Sequence, residues 1–373
     1  MRLFEYQGKE LFRRYGIRVP RSELAYVQEQ VDRAVDLIGL PVVIKSQVLS
    51  GGRGKAGGII MVNSRKEAET AAQRLFSLEI GGERPAALLV EEVCRHETER
   101  YLSVTLDRGK REFVVIASQG GGVDVESQTT GVVEEPVPAD GLDERIASSI
   151  ATRLGVTGAA SIDFRSTLLN LERLCRVEEC ELVEVNPLVV DADGEFVALD
   201  SKITLDDNSL FRHPGFSKLP PNDPLEGRAA EEGFAFVRLE GDIAVIGNGA
   251  GLVLSTMDMV TDAGGKPACF LDLGGGSQKE KVEAALRLAR DLPNARRILI
   301  NVFAGITRTS EVAEALKQIL SESGGTPPPL QPIYARISGA GEAEAALSLA
   351  DSPVKLFRTP EEAVLAAVGA GWT

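Results

Sequence analysis

Hydrophobic positions follow a mixed pattern in the first half of this chain and a regular alternation in the second. Between Leu3 and Tyr15, Phe4, Leu11 and Phe12 fall near one face at helical spacing, and Gly16 supplies the stop. Ser22–Val27 reads as a short strand, and Gln28–Leu37 as a helix turning Val31, Ala34 and Val35 inward. The stretch Pro41 to Val62, PVVIKSQVLSGGRGKAGGIIMV, reads as strand, glycine-rich basic loop, strand. Ser64 caps a helix running to Phe76, with Glu67 placed to complete a capping box. Ala86–Val93 is strand-like and ends in Glu91-Glu92, while Tyr101–Leu106 and Glu112–Ala117 form a hairpin across an Asp-Arg-Gly-Lys turn. Gly120 to Gly122 break the chain. Helices are expected over Leu142–Leu154 and Ile162–Leu174, then a strand Glu181–Val185, with apolar runs Leu188–Val190 and Phe196–Leu199 flanking a second tight turn.

From Asp206 to Gly233 the chain is rich in Pro, Asn, Asp and Arg and has no period, which marks a domain boundary. Beyond it strands and helices alternate. Ile243–Ile246, Ala268–Leu273, Arg297–Phe303 and Pro332–Ile337 each lead into a glycine-containing turn and then a helix. A last strand, Val354–Phe357, and the helix Pro360–Val368 close the series. Such alternation predicts a doubly wound parallel sheet with helices on both faces, and ligands at the strands' C-terminal ends. The expected organisation is therefore α/β and α+β, with residues 1–232 as one region of two subdomains, a linker at about 206–233, and 233–373 as a second domain.

Length and composition narrow the function. A chain of 373 residues exceeds one ordinary core, and 43% hydrophobic with 26% charged residues is typical of a water-soluble globular protein. The net charge, 41 − 55 = −14, argues against a nucleic-acid or anionic-membrane surface. No apolar run approaches a membrane span, and the first residues carry acids with no signal-peptide core, so a cytoplasmic location is expected. Cys94, Cys175, Cys180 and Cys269 lack metal spacing and read as free thiols. His96 and His213 read as surface residues, so a histidine nucleophile is not expected in this chain.

The glycine loop is the main chemical candidate. Without a Cβ, its backbone N–H groups can close on a phosphate, and Lys45, Arg53 and Lys55 bring positive charge to an otherwise acidic chain. It is not a Walker A loop, because Leu49 stands at the first glycine position and Ala56 at the Ser/Thr position. A solvated basic hairpin is the alternative. In Glu184-Val185-Asn186, residues two apart project together from a strand, and Asp200 can meet them from the next. Two carboxylates and an amide oxygen suit Mg²⁺; an ordinary polar strand end is the alternative. Glu91, Glu92 and Glu99 would otherwise read as a solvated acidic loop. GNGAG at 247–251 departs from the dinucleotide fingerprint because Leu252 replaces its last glycine, leaving tight helix–strand packing or a binding turn.

EYQGKELFRRYGIRVP, VVIKSQVLSGGRGKAGG, VEVNPLVV, VALDSKI, GNGAGLVLSTMDMV, FLDLGGGS and NVFAGIT, in this order, resemble the β subunit of succinyl-CoA synthetase (succinate–CoA ligase). That resemblance implies an N-terminal ATP-grasp fold and a flavodoxin-like CoA-ligase domain. Lys45 would hold nucleotide phosphates under the loop Gly52-Arg53-Gly54. Glu91 would end a strand edging the adenine pocket, Cys94 would give a backbone contact and Glu99 would bind ribose. Asn186 and Asp200 would carry Mg²⁺, with Glu184 a further candidate, and Asn248, Gly305, Ile306 and Thr307 would contact the acid substrate. In the family, ATP phosphorylates a histidine, the phosphate passes to succinate, and CoA displaces it. The histidine and CoA sites belong to a partner α subunit. Pro20 resembles ATP-using rather than GTP-using members. Thr307-Arg308-Thr309-Ser310 departs from the family's usual Val-Arg-Cys-Asp, which leaves a malate– or citrate–CoA ligase open as an alternative acid specificity. A non-catalytic nucleotide-binding regulatory subunit is the reading from another class.

Overall fold

The computed structural model describes residues 1–122, 131–216, 223–276, 278–305, 308–322 and 331–369. They fall into two compact units, Met1–Leu219 and Pro220–Thr373.

The first unit opens with α1 (Glu5–Arg14), which stops at Gly16, whose φ of +76° suits glycine. Next come β1 (Ser22–Ala25), α2 (Gln28–Ile38), β2 (Val42–Gln47), β3 (Ile59–Val62), α3 (Arg65–Ser77) and β4 (Ala87–Glu92). The four strands pair antiparallel in the order β1-β4-β2-β3. Strand alternation turns Val42, Ile44, Leu88 and Val90 toward α2 and α3, where they bury against Val31, Val35, Ala68, Ala72 and Leu75. Lys45, Gln47 and Glu91 then project from the opposite face. The α3 cap differs from the expected reciprocal box. Ser64 accepts from the Glu67 N–H, but the Glu67 carboxylate takes the N–H of Asn63, one residue further back.

A six-stranded sheet follows, built from β5 (Glu99–Asp107), β6 (Glu112–Ser118), β7 (Val132–Pro136), β8 (Cys180–Val190), β9 (Phe196–Ala198) and β10 (Lys202–Leu205), with α4 (Glu144–Arg153) and α5 (Gly158–Val177) between β7 and β8. The order is β10-β8-β5-β6-β7, with β9 also on β8. Leu102, Val104, Val183 and Val185 face a core shared with Ile150, Phe164 and Leu171, and α1 adds Leu11 and Phe12 to it.

The second unit begins with α6 (Pro224–Glu231), capped by Asp223, so the stretch that lacked hydrophobic period still contains a short capped helix. There follow β11 (Ala235–Arg238), β12 (Ile243–Gly247), α7 (Ala250–Asp262), β13 (Pro267–Asp272), α8 (Lys279–Arg290), β14 (Arg297–Ala304), α9 (Thr309–Glu322), β15 (Ile333–Gly339), α10 (Glu342–Leu349), β16 (Lys355–Leu356) and α11 (Pro360–Val368). The sheet order is β11-β13-β12-β14-β15-β16, parallel except for the antiparallel edge strand β11. Counted from β12, the parallel strands run second, first, third, fourth, fifth, the flavodoxin-like order whose switch point lies between β12 and β14. The central strands are apolar on both faces. Ile246, Leu271 and Ile300 pack under α8 and α9, and Val245 and Leu299 under α7 and α11. Among the described residues no helix is long and apolar enough to cross a membrane.

Candidate active site

The chemistry of the first unit gathers where α1 crosses β2 and β4. Glu5 and Lys9 lie one helical turn apart and share a face, while Leu11 and Phe12 bury in the six-stranded sheet's core. Lys45 of β2 and Glu91 of β4 point at that face. Lys45 Nζ donates to Glu5 Oε1 (3.1 Å), Glu91 Oε1 (2.6 Å) and the Leu199 carbonyl (2.7 Å). Lys9 Nζ reaches Glu5 Oε1 (2.8 Å), the Leu199 carbonyl (2.7 Å) and Glu91 Oε2. Arg53 folds back from the glycine loop. Its Nη1 meets Glu5 Oε2 (2.6 Å) and the Ser46 carbonyl (3.2 Å), and its Nη2 meets Asp200 Oδ1 (2.6 Å). Three cations therefore meet three carboxylates, in a place where Lys9 is 0% and Glu5 3% exposed. Balance of this kind is what lets charges remain buried. Burial alone pushes the Glu5 carboxyl up, but the charges of Arg53, Lys45 and Lys9 outweigh it and hold it well below the usual carboxylate range. Burial likewise opposes the charge on Lys45, and Glu5, Glu91 and Asp200 more than restore it.

The glycine loop itself curls into a self-bonded turn. Gly58 N–H donates to the Arg53 carbonyl (2.8 Å) and Ala56 N–H to that of Gly52 (3.1 Å), while Gly52 and Gly54 lie exposed.

Asp200 and Asn186 are held across from one another. The β8 ladder pairs Leu188 with Ala198 and Glu184 with Lys202, so Asn186 falls opposite Asp200 in the same register. Asn186 Oδ1 accepts the Gly122 N–H (2.6 Å) and its Nδ2 donates to the Gly122 carbonyl (3.1 Å). Glu184 lies two residues along the same face and accepts from the Tyr101 hydroxyl (3.1 Å). Among the described residues both bonds to Asp200 fall on Oδ1, from Arg53 and from the Ser201 N–H (2.7 Å). Its Oδ2 and the second lone pair of Asn186 Oδ1 are hard oxygen donors of the kind Mg²⁺ takes, usually with phosphate and water completing the shell. The donor chemistry fits that ion. Among the described residues no cluster of three or more His, Cys, Asp and Glu forms a metal cage.

Beside the end of β4 opens a cleft of about 520 Å³, lined by Arg13, Pro20, Glu92, Cys94, Asp191 and Val197 among others. That volume suits a nucleoside-sized ligand. His96 stands at its side, with Nδ1 2.9 Å from the Cys94 carbonyl and Nε2 3.2 Å from Glu99 Oε1. A Cβ on Gly122 would overlap Glu99, so Asn186, Gly122 and Glu99 form a contiguous run.

In the second unit, Asn248 closes the switch point. Its Nδ2 donates to the Phe303 carbonyl (2.8 Å) and its Oδ1 accepts the Phe303 N–H (2.9 Å), tying the ends of β12 and β14. Gly305 N–H bonds back to the same carbonyl (3.0 Å). Asp272 Oδ1 accepts the N–H groups of Gly249 (2.5 Å) and Gly274 (2.7 Å), joining the turns after β12 and β13. Ile306 and Thr307 lie outside the described residues. Thr309 is buried, with its hydroxyl on the Ala340 carbonyl (2.8 Å). A 420 Å³ bowl lined by Gly241, Asp242, Lys266 and Arg296 lies where β12, β13 and β14 begin, at the opposite end of the strands from Asn248.

The structure thus brings Lys45, Arg53, Glu91 and Asp200 into one network and places Asn186 opposite Asp200. Cys94 and Glu99 meet around His96, and Asn248 and Gly305 share the end of β14. Glu91 spends its carboxylate on the two lysines, and β4, between β1 and β2 in its sheet, ends at Glu92 on the wall of the cleft. Glu5 and Lys9 were not singled out in the sequence, and His96, read there as a surface residue, is half-buried between Cys94 and Glu99. For Glu5 and Lys9 the available signal was an acid–base pair four residues apart, which ordinarily marks a solvated helix face.

Residues 2–190 match the ATP-grasp domain family model and 246–369 the CoA-ligase model. The chain is 40% identical to the succinate–CoA ligase [ADP-forming] subunit beta of Pyrobaculum aerophilum, covering 99% of both chains. It is also 40% identical to the [GDP-forming] subunit beta of Thermus thermophilus, over 99% of this chain and 98% of that one. A solved structure of ATP citrate lyase from Methanothrix soehngenii shares the fold at 20% identity, with a TM-score of 0.71 over 99% of both chains. The chain belongs to the β-subunit family of succinate–CoA ligases, with an ATP-grasp domain followed by a CoA-ligase domain.

Proposed function

We propose that this chain is the nucleotide-binding β subunit of an ADP-forming succinate–CoA ligase, working in the cytoplasm with an α subunit that carries CoA and the phosphorylated histidine. The observation that carries the reading is the convergence of Lys45 and Asp200 on the glycine loop's Arg53 and its partners, with a cleft of nucleoside size at the end of β4. Lys45 and Arg53 bind the phosphates; Glu99 and the Cys94 backbone hold the ribose and base. Asn186 and Asp200 hold Mg²⁺, with Glu184 beside them, and the ion when bound neutralises charge on the transferring phosphoryl group. The chain's own part is to orient the terminal phosphate toward the partner and to exclude water, which is positioning rather than covalent chemistry. Asn248, Gly305, Ile306 and Thr307 contact succinate through amides at the switch point, with helix α9 following.

ADP-forming and GDP-forming relatives are equally similar to this chain, so the choice of ATP rests on Pro20, which lines the cleft. Thr309 commits its hydroxyl proton to the Ala340 carbonyl, and the choice of succinate over a hydroxy-acid such as malate or citrate rests on the ADP-forming succinate–CoA ligase relatives. The test is co-expression with the candidate α partner, followed by γ-labelled ATP and Mg²⁺. Acid-labile label on the partner alone, lost with Asp200→Ala, supports the reading. Measurable ATP binding with no label on either chain overturns it in favour of a regulatory subunit.

A further inference from the structure

An ammonium group has three N–H donors, and all three on Lys45 are occupied: by Glu5, Glu91 and the Leu199 carbonyl. Both N–H groups on Arg53 Nη1 are likewise used, on Glu5 and Ser46. No donor of Lys45 is left for a phosphate oxygen. If Lys45 receives nucleotide phosphate, one of its three acceptors must let go, and the distances and partners identify which.

Glu91 and Leu199 make the short contacts, 2.6 and 2.7 Å, and Leu199 is fixed by its own N–H on the Pro187 carbonyl (3.1 Å). Glu5 makes the long one, 3.1 Å. Glu5 also has the most to fall back on: Lys9 at 2.8 Å, Arg53 at 2.6 Å and the Gln47 side-chain amide at 3.2 Å. Releasing Lys45 leaves its carboxylate still paired and hydrogen-bonded, so the release exposes no bare buried charge. Glu91 in the same position would keep, among the described residues, Lys9 alone.

We infer that Glu5 is a positioning residue of the phosphate site: its carboxylate stands in for a phosphate on Lys45, keeps that lysine charged and aimed while the site is empty, and gives it up when nucleotide arrives. Glu5 is thereby an internal competitor of the ligand. This rests on the nucleotide-binding reading given above and adds to it a residue from α1.

The test is the sign of one change. In Glu5→Gln the cluster of three cations and three carboxylates gains one net positive charge and loses its competitor. Isothermal titration of the full chain, co-purified with its partner, is run with ADP without Mg²⁺ and with pyrophosphate. The variant is expected to bind both more tightly by about tenfold, the factor a single close charge commonly makes to its neighbour's ionisation. Its ligand-free melting temperature is expected to fall, and the ligand-induced rise in melting temperature to exceed that of the unmodified protein. Weaker binding by Glu5→Gln would overturn the inference and make Glu5 a plain support for Lys45. Should that variant fail to fold, Lys9→Met gives the opposite sign. With one fallback partner removed, Glu5 holds Lys45 harder and binding weakens; tighter binding there overturns the inference equally. Absence of any ADP or pyrophosphate binding to the unmodified protein would instead refute the nucleotide reading.

Discussion

Lys9 and Lys45, from a helix and a strand, donate to the same three groups: the Glu5 carboxylate, the Glu91 carboxylate and the Leu199 carbonyl. Leu199 immediately precedes Asp200, so the pair of ammonium groups sets the main chain that presents the candidate metal ligand. Lys9 is completely buried. Lys9→Met would leave Glu5 and Glu91 each short of a cation, and a loss of about 3–5 kcal/mol is expected, as for other broken buried pairs. Urea unfolding at neutral pH, with an unchanged m-value, measures it.

Asp200 answers to two cations, Arg53 and the proposed Mg²⁺. Asp200→Asn keeps the shape but removes the charge. Calorimetric affinity for ADP in the presence of Mg²⁺ should fall by roughly tenfold or more, the scale on which metal sites respond to altered surroundings. Without Mg²⁺ that loss should be absent. An equal loss in both conditions would place the metal elsewhere.

Cys94 is the half-exposed cysteine and lines the cleft, whereas Cys175, Cys180 and Cys269 are buried. Burial pushes the thiol of Cys175 up to about 12 and that of Cys269 to about 12. Burial, with help from Asp191 and Glu92, also raises Cys94 above its ordinary value. Native protein treated with a thiol reagent should therefore label at Cys94, faster as pH rises, with ATP slowing the reaction. Labelling unaffected by ATP would remove the cleft from the nucleotide site.

Glu5 makes the stability of the first unit depend on acid. Its carboxyl is held below the unfolded value of about 4.3, so its contribution is complete above that value and is lost as pH falls through it toward the lower folded-state value. Unfolding midpoints measured from pH 7 down to 3 should drop more steeply for the unmodified protein than for Glu5→Gln. Parallel curves would contradict the assignment.

Asn248→Ala removes both bonds to Phe303 at the switch point, at a cost of about 1–2 kcal/mol. The KM for succinate should rise while ADP binding is unchanged. A change in ADP affinity alone would detach Asn248 from the acid site.

Much of the fold was legible because hydrophobic period survives in sequence. The helix Pro360–Val368 and the alternating strands of the second unit follow directly from it. The edge strands β7, β10 and β11 were not, since short strands with one polar face carry little periodic signal. The glycine loop, Lys45 and the Asn186–Asp200 pair stand out in the sequence as candidates because their residue types are unusual in that spacing, and the structure brings Lys45, Arg53 and Asp200 into one network. Glu5 and Lys9 were not, because nothing local distinguishes a buried Glu–Lys pair from a solvated one; only the approach of β2 and β4 does. His96 was read as a surface residue because its partners, Cys94 and Glu99, are ordinary in sequence and meet it only once the chain turns between β4 and β5.

Helix α1 lodges Leu11 and Phe12 in the core of the larger sheet and drives Glu5 and Lys9 into the charged seam of the smaller one. Mechanically it is a strut with an oily foot and an ionic head. A hinge between the two sheets would have to tear the ionic head apart, which makes rigid-sheet rocking the expensive route to closure. The glycine loop is anchored to the same ionic head through Arg53, which bonds Glu5 and Asp200, so only its exposed flanks at Gly52 and Gly54 lie outside the seam. A crosslink from Ser50 to the neighbouring turn at Gly81 would immobilise the loop without touching the cluster.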